Sequence, residues 1–379
     1  MVFGEAWLEG CPEMSATPRN RDAAEEPCDS APEELERLIQ RAEAAGASDI
    51  HLQMNARRAE VAFRLDGVMT PALELPEGLA ERVFGRIKFL ARLKTYQETY
   101  PQDGRIDRDA VGAGSDVRVA TYPTVTGEKI VLRLFSATPA MRLDELGFPD
   151  GARRALVRFL WQQAGLLLLT GPAGSGKTTT IYACLRHLAE QGGRHIITVE
   201  DPVEQILPGI MQTEVNEPVG LTYAKATRHL MRQDPQVLVL GEVRDDETAN
   251  IAVRAAFTGH LVISTLHAGS CRGVFDRLFV LCDDRYAALS AVELVINQRL
   301  IRRTCGGCGG AGCEGCLGTG YHGRVPLVEW LRLDETSRAK IRSEGTAVAQ
   351  PETPLAVAAR ALVEQGVTDE REYLRMFGA

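Results

Sequence analysis

The chain has 379 residues, of which 45% are hydrophobic and 25% charged, with a formal net charge of −8. That length exceeds what one core usually supports and predicts two or three domains; the acidic balance argues against nucleic acid as the main partner, because phosphate binding needs concentrated Lys and Arg. No run approaches the roughly 20 apolar residues that span a bilayer, and "MVFGEAWLEGCPEMSA" lacks the basic-then-apolar order of a secretory signal, so the expectation is a cytosolic chain.

Residues 1–33, rich in Glu, Asp, Pro and Ser, read as a disordered acidic tail. In "PEELERLIQRAEAAG" the apolar residues Leu35, Leu38, Ile39 and Ala42 recur at helical spacing, with Gly46 placed to end the helix. "DIHLQM" and "AEVAFRLDGVM" alternate like strands, and "LPEGLAERVFGRIKFLARL" is helical again, which predicts an α+β domain over 34–137. The proline-containing stretch 138–148 reads as a linker. Beyond it, "GLLLLT", "HIITVE", "QVLVLGE" and "HLVISTLH" are short apolar runs separated by helices or turns. This alternation predicts an α/β core over 149–303 with a mostly parallel sheet and helices on both faces. A cysteine segment over 304–323 and a helical region over 324–379 complete the expected layout.

The sharpest signal is "GLLLLTGPAGSGKTTT". Gly171, Gly176, Lys177 and Thr178 fit G-x-x-x-x-G-K-[ST] between an apolar strand and a helix, the context of a phosphate loop. Backbone N–H groups of Gly171, Pro172, Ala173, Gly174, Ser175, Gly176, Lys177, Thr178 and Thr179, proline excepted, would supply the anion cradle together with the positive helix end. Lys177 would reach the β and γ phosphates of ATP, and Thr178 would ligate Mg²⁺.

Hydrolysis also needs carboxylates at other strand ends. "QVLVLGE" delivers Glu242, placed to support the Mg²⁺ shell. "IITVEDPVE" delivers Glu200, Asp201 and Glu204. In a doubly wound sheet these ends and the loop converge on one edge. The run "GHLVISTLHAGS" is bracketed by His260 and His267, either of which is as readily a structural residue as a functional one.

Taken together, "GPAGSGKTTT", "ITVEDPVE", "RQDPQVLVLGEVRDDET" and "TGHLVISTLHAGS" resemble the Walker A, Asp box, Walker B and His box of the ATPases of type II secretion and type IV pilus assembly. "ASDIHL", "FRLDGV", "PQDGRI", "DVRVATYPTVTGEKIVLRL" and "LGF" resemble that family's PAS-like N-terminal domain and its junction with the motor, so the resemblance covers residues 34–330. It implies a RecA-like P-loop ATPase core, a homohexameric ring at the cytoplasmic face of the inner membrane, and docking on an inner-membrane platform protein, without direct nucleic-acid binding. It further implies Glu200 as general base, Glu242 in the Mg²⁺ shell (the two roles being exchangeable), His260 and His267 as γ-phosphate sensors, and Arg105 and Arg118 as cations brought to the phosphates from the N-terminal domain.

Some features depart from the family pattern. "LHAGS" stands where His-Thr-Asn is usual, and "RQDPQ" where Asp commonly follows the proline; the resemblance places both beside the nucleotide, with an effect on turnover. No helical platform-gripping domain is expected before residue 34, so docking would differ or use the tail. Three alternatives to an assembly motor stay open: a nucleotide-gated scaffold that barely hydrolyses, a pilus retraction ATPase, and a DNA-translocating relative.

Five of the nine cysteines are scattered, and "CGGCGGAGCEGC" holds the other four. With the residues that follow it forms two eight-residue units, "CGGCGGAG" and "CEGCLGTG", each fitting C-x-x-C-x-G-x-G and resembling the zinc repeats of heat-shock co-chaperones. Cys305, Cys308, Cys313 and Cys316 would hold a structural Zn²⁺ tetrahedrally and staple a segment with little core of its own. The competing reading is a reduced, flexible glycine loop. Cysteine pairs resemble those of assembly rather than retraction ATPases.

Overall fold

The computed structural model describes residues 30–56, 58–134 and 140–378. Most of the expected acidic tail (1–29) and the first two linker positions lie outside the described residues, and the first helix begins at Ala31, three residues before the expected boundary.

The N-terminal unit consists of α1 (Ala31–Ala44), β1 (Ala47–Asn55), β2 (Arg58–Leu65), β3 (Val68–Pro76), α2 (Glu77–Leu90), β4 (Gln102–Ile106), β5 (Val117–Thr124) and β6 (Gly127–Leu134). The strands form one antiparallel sheet in the order β3-β2-β1-β6-β5-β4. Alternation does the sorting: Ile50 and Leu52, Val61 and Phe63, Val117 and Val119, Ile130 and Leu132 point into a core shared with Leu35, Leu38 and Ile39 of α1 and Val83 and Ile87 of α2. The opposite set of side chains is left for other business.

The second unit comprises α3 (Asp150–Leu160), β7 (Gly165–Thr170), α4 (Lys177–Gln191), β8 (Ile196–Glu200), β9 (Met211–Glu214), α5 (Tyr223–Leu230), β10 (Val237–Leu240), α6 (Asp246–Phe257), β11 (Leu261–Thr265), α7 (Cys271–Leu281), α8 (Arg285–Ala291), β12 (Val292–Thr304), β13 (Tyr321–Arg332), α9 (Glu335–Glu344), α10 (Leu355–Glu364) and α11 (Glu370–Phe377). Its sheet runs β13-β12-β7-β11-β10-β8-β9, parallel throughout except for β13. β7 explains why an unbroken apolar run can be a strand: Leu166 and Leu168 face a core with α5 to α8, whereas Leu167 and Leu169 face α3 and α4. The linker continues this packing, with Leu143 and Leu146 buried against the α3–α4 side.

The C-terminal layout differs from expectation. Residues 321–332 form β13, paired with the long strand β12, and the helices start only at Glu335. β12 escaped sequence reading because it follows α8 without a turn signal. α10 docks on Ile301 and Leu327 of this hairpin through Leu355 and Ala359, and α11 packs on the same cluster through Tyr373, Met376 and Phe377.

Glu372 of α11 is buried and takes Arg302 Nη2 at 2.7 Å and Arg375 Nη2 at 2.6 Å. Burial by itself would raise its pKa, but hydrogen bonds from Arg375 and Arg302 outweigh it and hold the carboxyl at about 2, against an ordinary 4.5. The folded-state value is the lower one, so the contribution, roughly 3 kcal/mol as an upper estimate, is complete above pH 4.5 and is lost as pH falls towards 2. Glu372→Gln should therefore lower the urea midpoint at pH 7, and the gap to wild type should close on acidification; a gap independent of pH would refute this.

Candidate functional site

The phosphate loop leaves the carboxyl end of β7 and enters α4. Gly171 has φ +134°, and a Cβ there would lie 2.2 Å from the Gln298 carbonyl oxygen, so backbone must pass where no side chain fits. Gly176, at φ +89°, is the N-cap of α4. The loop rests on Gln298 of β12: its Nε2 donates to the Ser175 carbonyl at 2.8 Å, and its Oε1 accepts from Thr180 Oγ1 at 3.0 Å. Sequence reading missed Gln298; the only hint was the polar pair Asn297-Gln298 inside an apolar run. Lys177 Nζ donates to the carbonyls of Gly171 (2.9 Å) and Pro172 (3.0 Å). Partial burial lowers its pKa, against the opposing pull of the Glu242 charge, which places that carboxylate beside the loop.

The two acids of "EDPVE" are not equivalent. Glu200 ends β8 buried, with Oε2 accepting from Tyr182 at 2.5 Å and Oε1 from Thr198 (2.5 Å) and Gln212 (3.1 Å). Its lone pairs are already engaged by protein donors. Tyr182, one turn beyond the loop on α4, also accepts from the backbone N–H groups of Glu204 (3.1 Å) and Gln205 (3.2 Å). Glu204 is thereby carried towards the loop, where Thr178 is among the groups acting on its carboxylate. Although this side chain reaches solvent, burial against neighbouring protein and then the Glu200 charge raise its pKa, while Arg133, Arg118 and Thr178 oppose the rise. In the folded chain Glu204 faces Thr178, and Glu200 holds the tyrosine that positions it.

Glu242 follows β10 and is tied to His267 Nε2 at 2.8 Å and Arg244 Nε at 2.8 Å; Arg244 also reaches Asp201 Oδ2 at 3.4 Å. His267 is thus on the loop's edge of the sheet. His260 is not: it precedes β11, its Nδ1 is 2.9 Å from the Ala255 carbonyl, and its own carbonyl accepts from Gly165 at the opposite end of β7. A five-residue strand, about 16 Å long, separates His260 from the loop, so the expected sensor role is corrected. Gln236 of "RQDPQ" shares that far edge, accepting from the His195 N–H, so this departure does not touch the nucleotide side. Ala268 of "LHAGS" engages Thr170 Oγ1 through its backbone only, at 2.8 and 2.9 Å, a tie that any residue there could make.

Arg105 and Arg118 pair across β4 and β5, and Arg118 pairs with Arg133 across β5 and β6, so three guanidinium-bearing residues line one face of the N-terminal sheet. Like charges directly opposite are unfavourable, and the row is offset by acids: Asp116 on Arg105, Asp49 at 2.9 Å from Arg133, and Glu204 across the domain boundary facing Arg133 and Arg118. Arg133, within a quoted motif but not singled out, belongs with the expected pair.

The model of the type II/IV secretion system protein family matches residues 26–375. The chain belongs to that family. Among its curated relatives, type II secretion system protein E of Pseudomonas aeruginosa is 39% identical over 362 residues, covering 87% of this chain and 72% of its own length. The protein transport protein HofB homolog of Haemophilus influenzae is 38% identical over 351 residues, covering 91% and 72%. Among solved structures, the pilus retraction motor PilT with bound ADP superposes with a TM-score of 0.64 at 26% identity, over 90% of this chain and 96% of that one.

This member of the type II/IV secretion family also brings its four motif cysteines together. The Sγ atoms of Cys305, Cys308, Cys313 and Cys316 all lie within 4.8 Å of one another, with 3.9 Å for Cys305–Cys313 and Cys308–Cys316 and 3.7 Å for Cys313–Cys316. Zn–S bonds of about 2.3 Å in a tetrahedron set sulfur pairs about 3.8 Å apart, so the set fits zinc. The repeat is structural as well as textual: Gly312 N–H donates to Cys308 Sγ (3.2 Å) and Gly320 N–H to Cys316 Sγ (3.3 Å), the same offset in each unit. A Cβ on Gly312 would come 2.9 Å from the Gly318 carbonyl oxygen, and one on Gly320 2.5 Å from that of Gly310. Glycine backbones pack on each other, which is how a four-residue connector lets both C-x-x-C turns face one point.

Proposed function

We propose that the chain is a cytoplasmic, homohexameric ATPase that hydrolyses ATP to drive assembly of pilin-like filaments in type II secretion or type IV pilus biogenesis, through a platform protein of the inner membrane. The observation that carries this reading is the convergence on one sheet edge of the phosphate loop after β7, Glu200 and Glu204 after β8, and Glu242 with His267 after β10 and β11, with the arginine row of the N-terminal sheet acting on Glu204. Family membership and the likeness to a solved pilus motor support it. The cysteine cluster favours the assembly branch over retraction.

In this reading Lys177 binds the β and γ phosphates, and Thr178 with Glu242 holds the Mg²⁺ shell, which neutralises phosphate charge when the metal is bound. Glu204 orients water and accepts its proton; a pKa raised by burial and by Glu200 suits that task. Tyr182 and Glu200 fix the backbone that carries it. Arg118 and Arg133, whose charges already act on Glu204, would neutralise charge on the transferring group, and Arg105 extends the row. His267 orients Glu242. Closure of the arginine row on phosphate is the step that would convert chemistry into domain motion.

Phosphate release measured beside nucleotide affinity tests the reading. A turnover that saturates with Mg-ATP supports it; tight binding with no phosphate release marks a gated scaffold, and stimulation by DNA rather than by membrane components marks a translocase.

A further inference from the structure

The strand that follows the cysteine arm touches both the phosphate loop and the N-terminal unit. Arg324, near the start of β13, donates from Nη1 to the carbonyl oxygen of Gly174, at the tip of the loop, at 3.4 Å. Its Nε lies 3.7 Å from Asp66 Oδ1, while the neighbouring Gly323 N–H donates to Asp66 Oδ2 at 2.8 Å. One carboxylate is therefore gripped through both oxygens by two consecutive residues. Asp66 and Gly67, with φ of +49° and +83°, make the two-residue turn joining β2 to β3, a tight hairpin whose geometry leaves the aspartate little freedom. An apolar contact accompanies the polar one: Leu317, in the second cysteine unit, packs against the N-terminal core.

These contacts have a common consequence. Gly174, at φ +72° with nothing within 4 Å of a would-be Cβ, has no side chain to hold its peptide plane. The guanidinium on its carbonyl supplies that restraint, and the guanidinium is itself anchored on another domain. We propose that Arg324 is a positioning residue that couples the tip of the phosphate loop to the N-terminal domain through Asp66, with the cysteine arm as its mount. A nucleotide that reorders the Gly174 peptide then pulls on, or releases, the β2–β3 turn; reciprocally, movement of that turn changes nucleotide affinity. The proposal rests on the nucleotide-site reading above, but on residues outside the pocket carboxylates.

The test uses the full chain and Mg-ADP as the probe, with binding followed by calorimetry and the β2–β3 turn followed by hydrogen exchange. Wild type should bind, and binding should alter exchange at residues 65–68. Arg324→Gln should weaken Mg-ADP binding by about 5- to 10-fold, the lower part of the usual range for coupled sites, and should abolish the exchange response at the turn. Asp66→Asn should reproduce both effects, the double variant should add little, and Arg324→Lys should restore part of the affinity. A purely structural surface pair would leave the nucleotide-dependent exchange untouched. Wild-type binding and exchange responses in both single variants would overturn the coupling while leaving the nucleotide site standing. Failure of wild type itself to bind Mg-ADP would overturn the site reading and the coupling with it.

Discussion

Glu204→Gln should keep Mg-ATP affinity within about twofold of wild type while cutting phosphate release by about 10²- to 10⁴-fold, the usual worth of a positioned general base. The substitution is nearly isosteric, and the backbone bond from Glu204 to Tyr182 does not involve the changed group, so the loop stays intact. What disappears is the proton acceptor. Glu200→Gln is the informative partner, because the two acids lie four residues apart in one motif. Its amide would keep volume but would replace one acceptor oxygen among those engaged by Tyr182, Thr198 and Gln212. A buried donor left without a partner costs about 1–3 kcal/mol, so Glu200→Gln should show a lowered unfolding midpoint together with a smaller loss of turnover. If Glu200→Gln were stable and dead while Glu204→Gln turned over normally, the base would be Glu200 and the geometric argument would be wrong.

The second large effect concerns the cysteine arm. Of residues 305–320, only Cys305, Cys316 and Gly320 are buried, and Leu317 is the main apolar residue, so hydrophobic burial contributes little to order there. Structural Zn²⁺ sites in small domains supply apparent binding energies of about 10–16 kcal/mol, far more than this arm can gain otherwise. Native mass spectrometry should find one zinc per chain in wild type and none in Cys308→Ser with Cys313→Ser. A strong chelator should expose amides 304–321 to exchange while the strands β7, β10 and β11 stay protected. Zinc-free wild type with a rigid, protected arm would remove the metal from the account.

Several features were legible in the sequence because they are local. Gly171, Gly176, Lys177 and Thr178 sit at fixed spacing, and both glycines take the positive φ that such a loop needs. The alternation of Ile50, Leu52, Val61 and Phe63 marks a half-buried sheet, and the cysteine repeat marks the four thiols that the fold brings together. The arginines were half legible: Arg105 and Arg118 carried motif resemblance, while Arg133 joined them only through register across β5 and β6.

Other features depend on which distant atoms meet. "EDPVE" offers two glutamates, and nothing in its spacing says that Tyr182 will engage the carboxylate of one and the backbone of the other. His260 and His267 bracket the same strand symmetrically in the sequence, yet a strand has two ends, and only parallel pairing with β7 decides which end carries the loop. Gln298 and Arg324 reach the loop across 123 and 150 positions of chain. The amino-acid order by itself determined the chemistry available here: a phosphate cradle, acids at strand ends and four thiols at metal spacing. Tertiary structure alone decided which of those groups act together, because hydrogen-bond partners and strand ends are set by packing between segments, and no local periodicity encodes that.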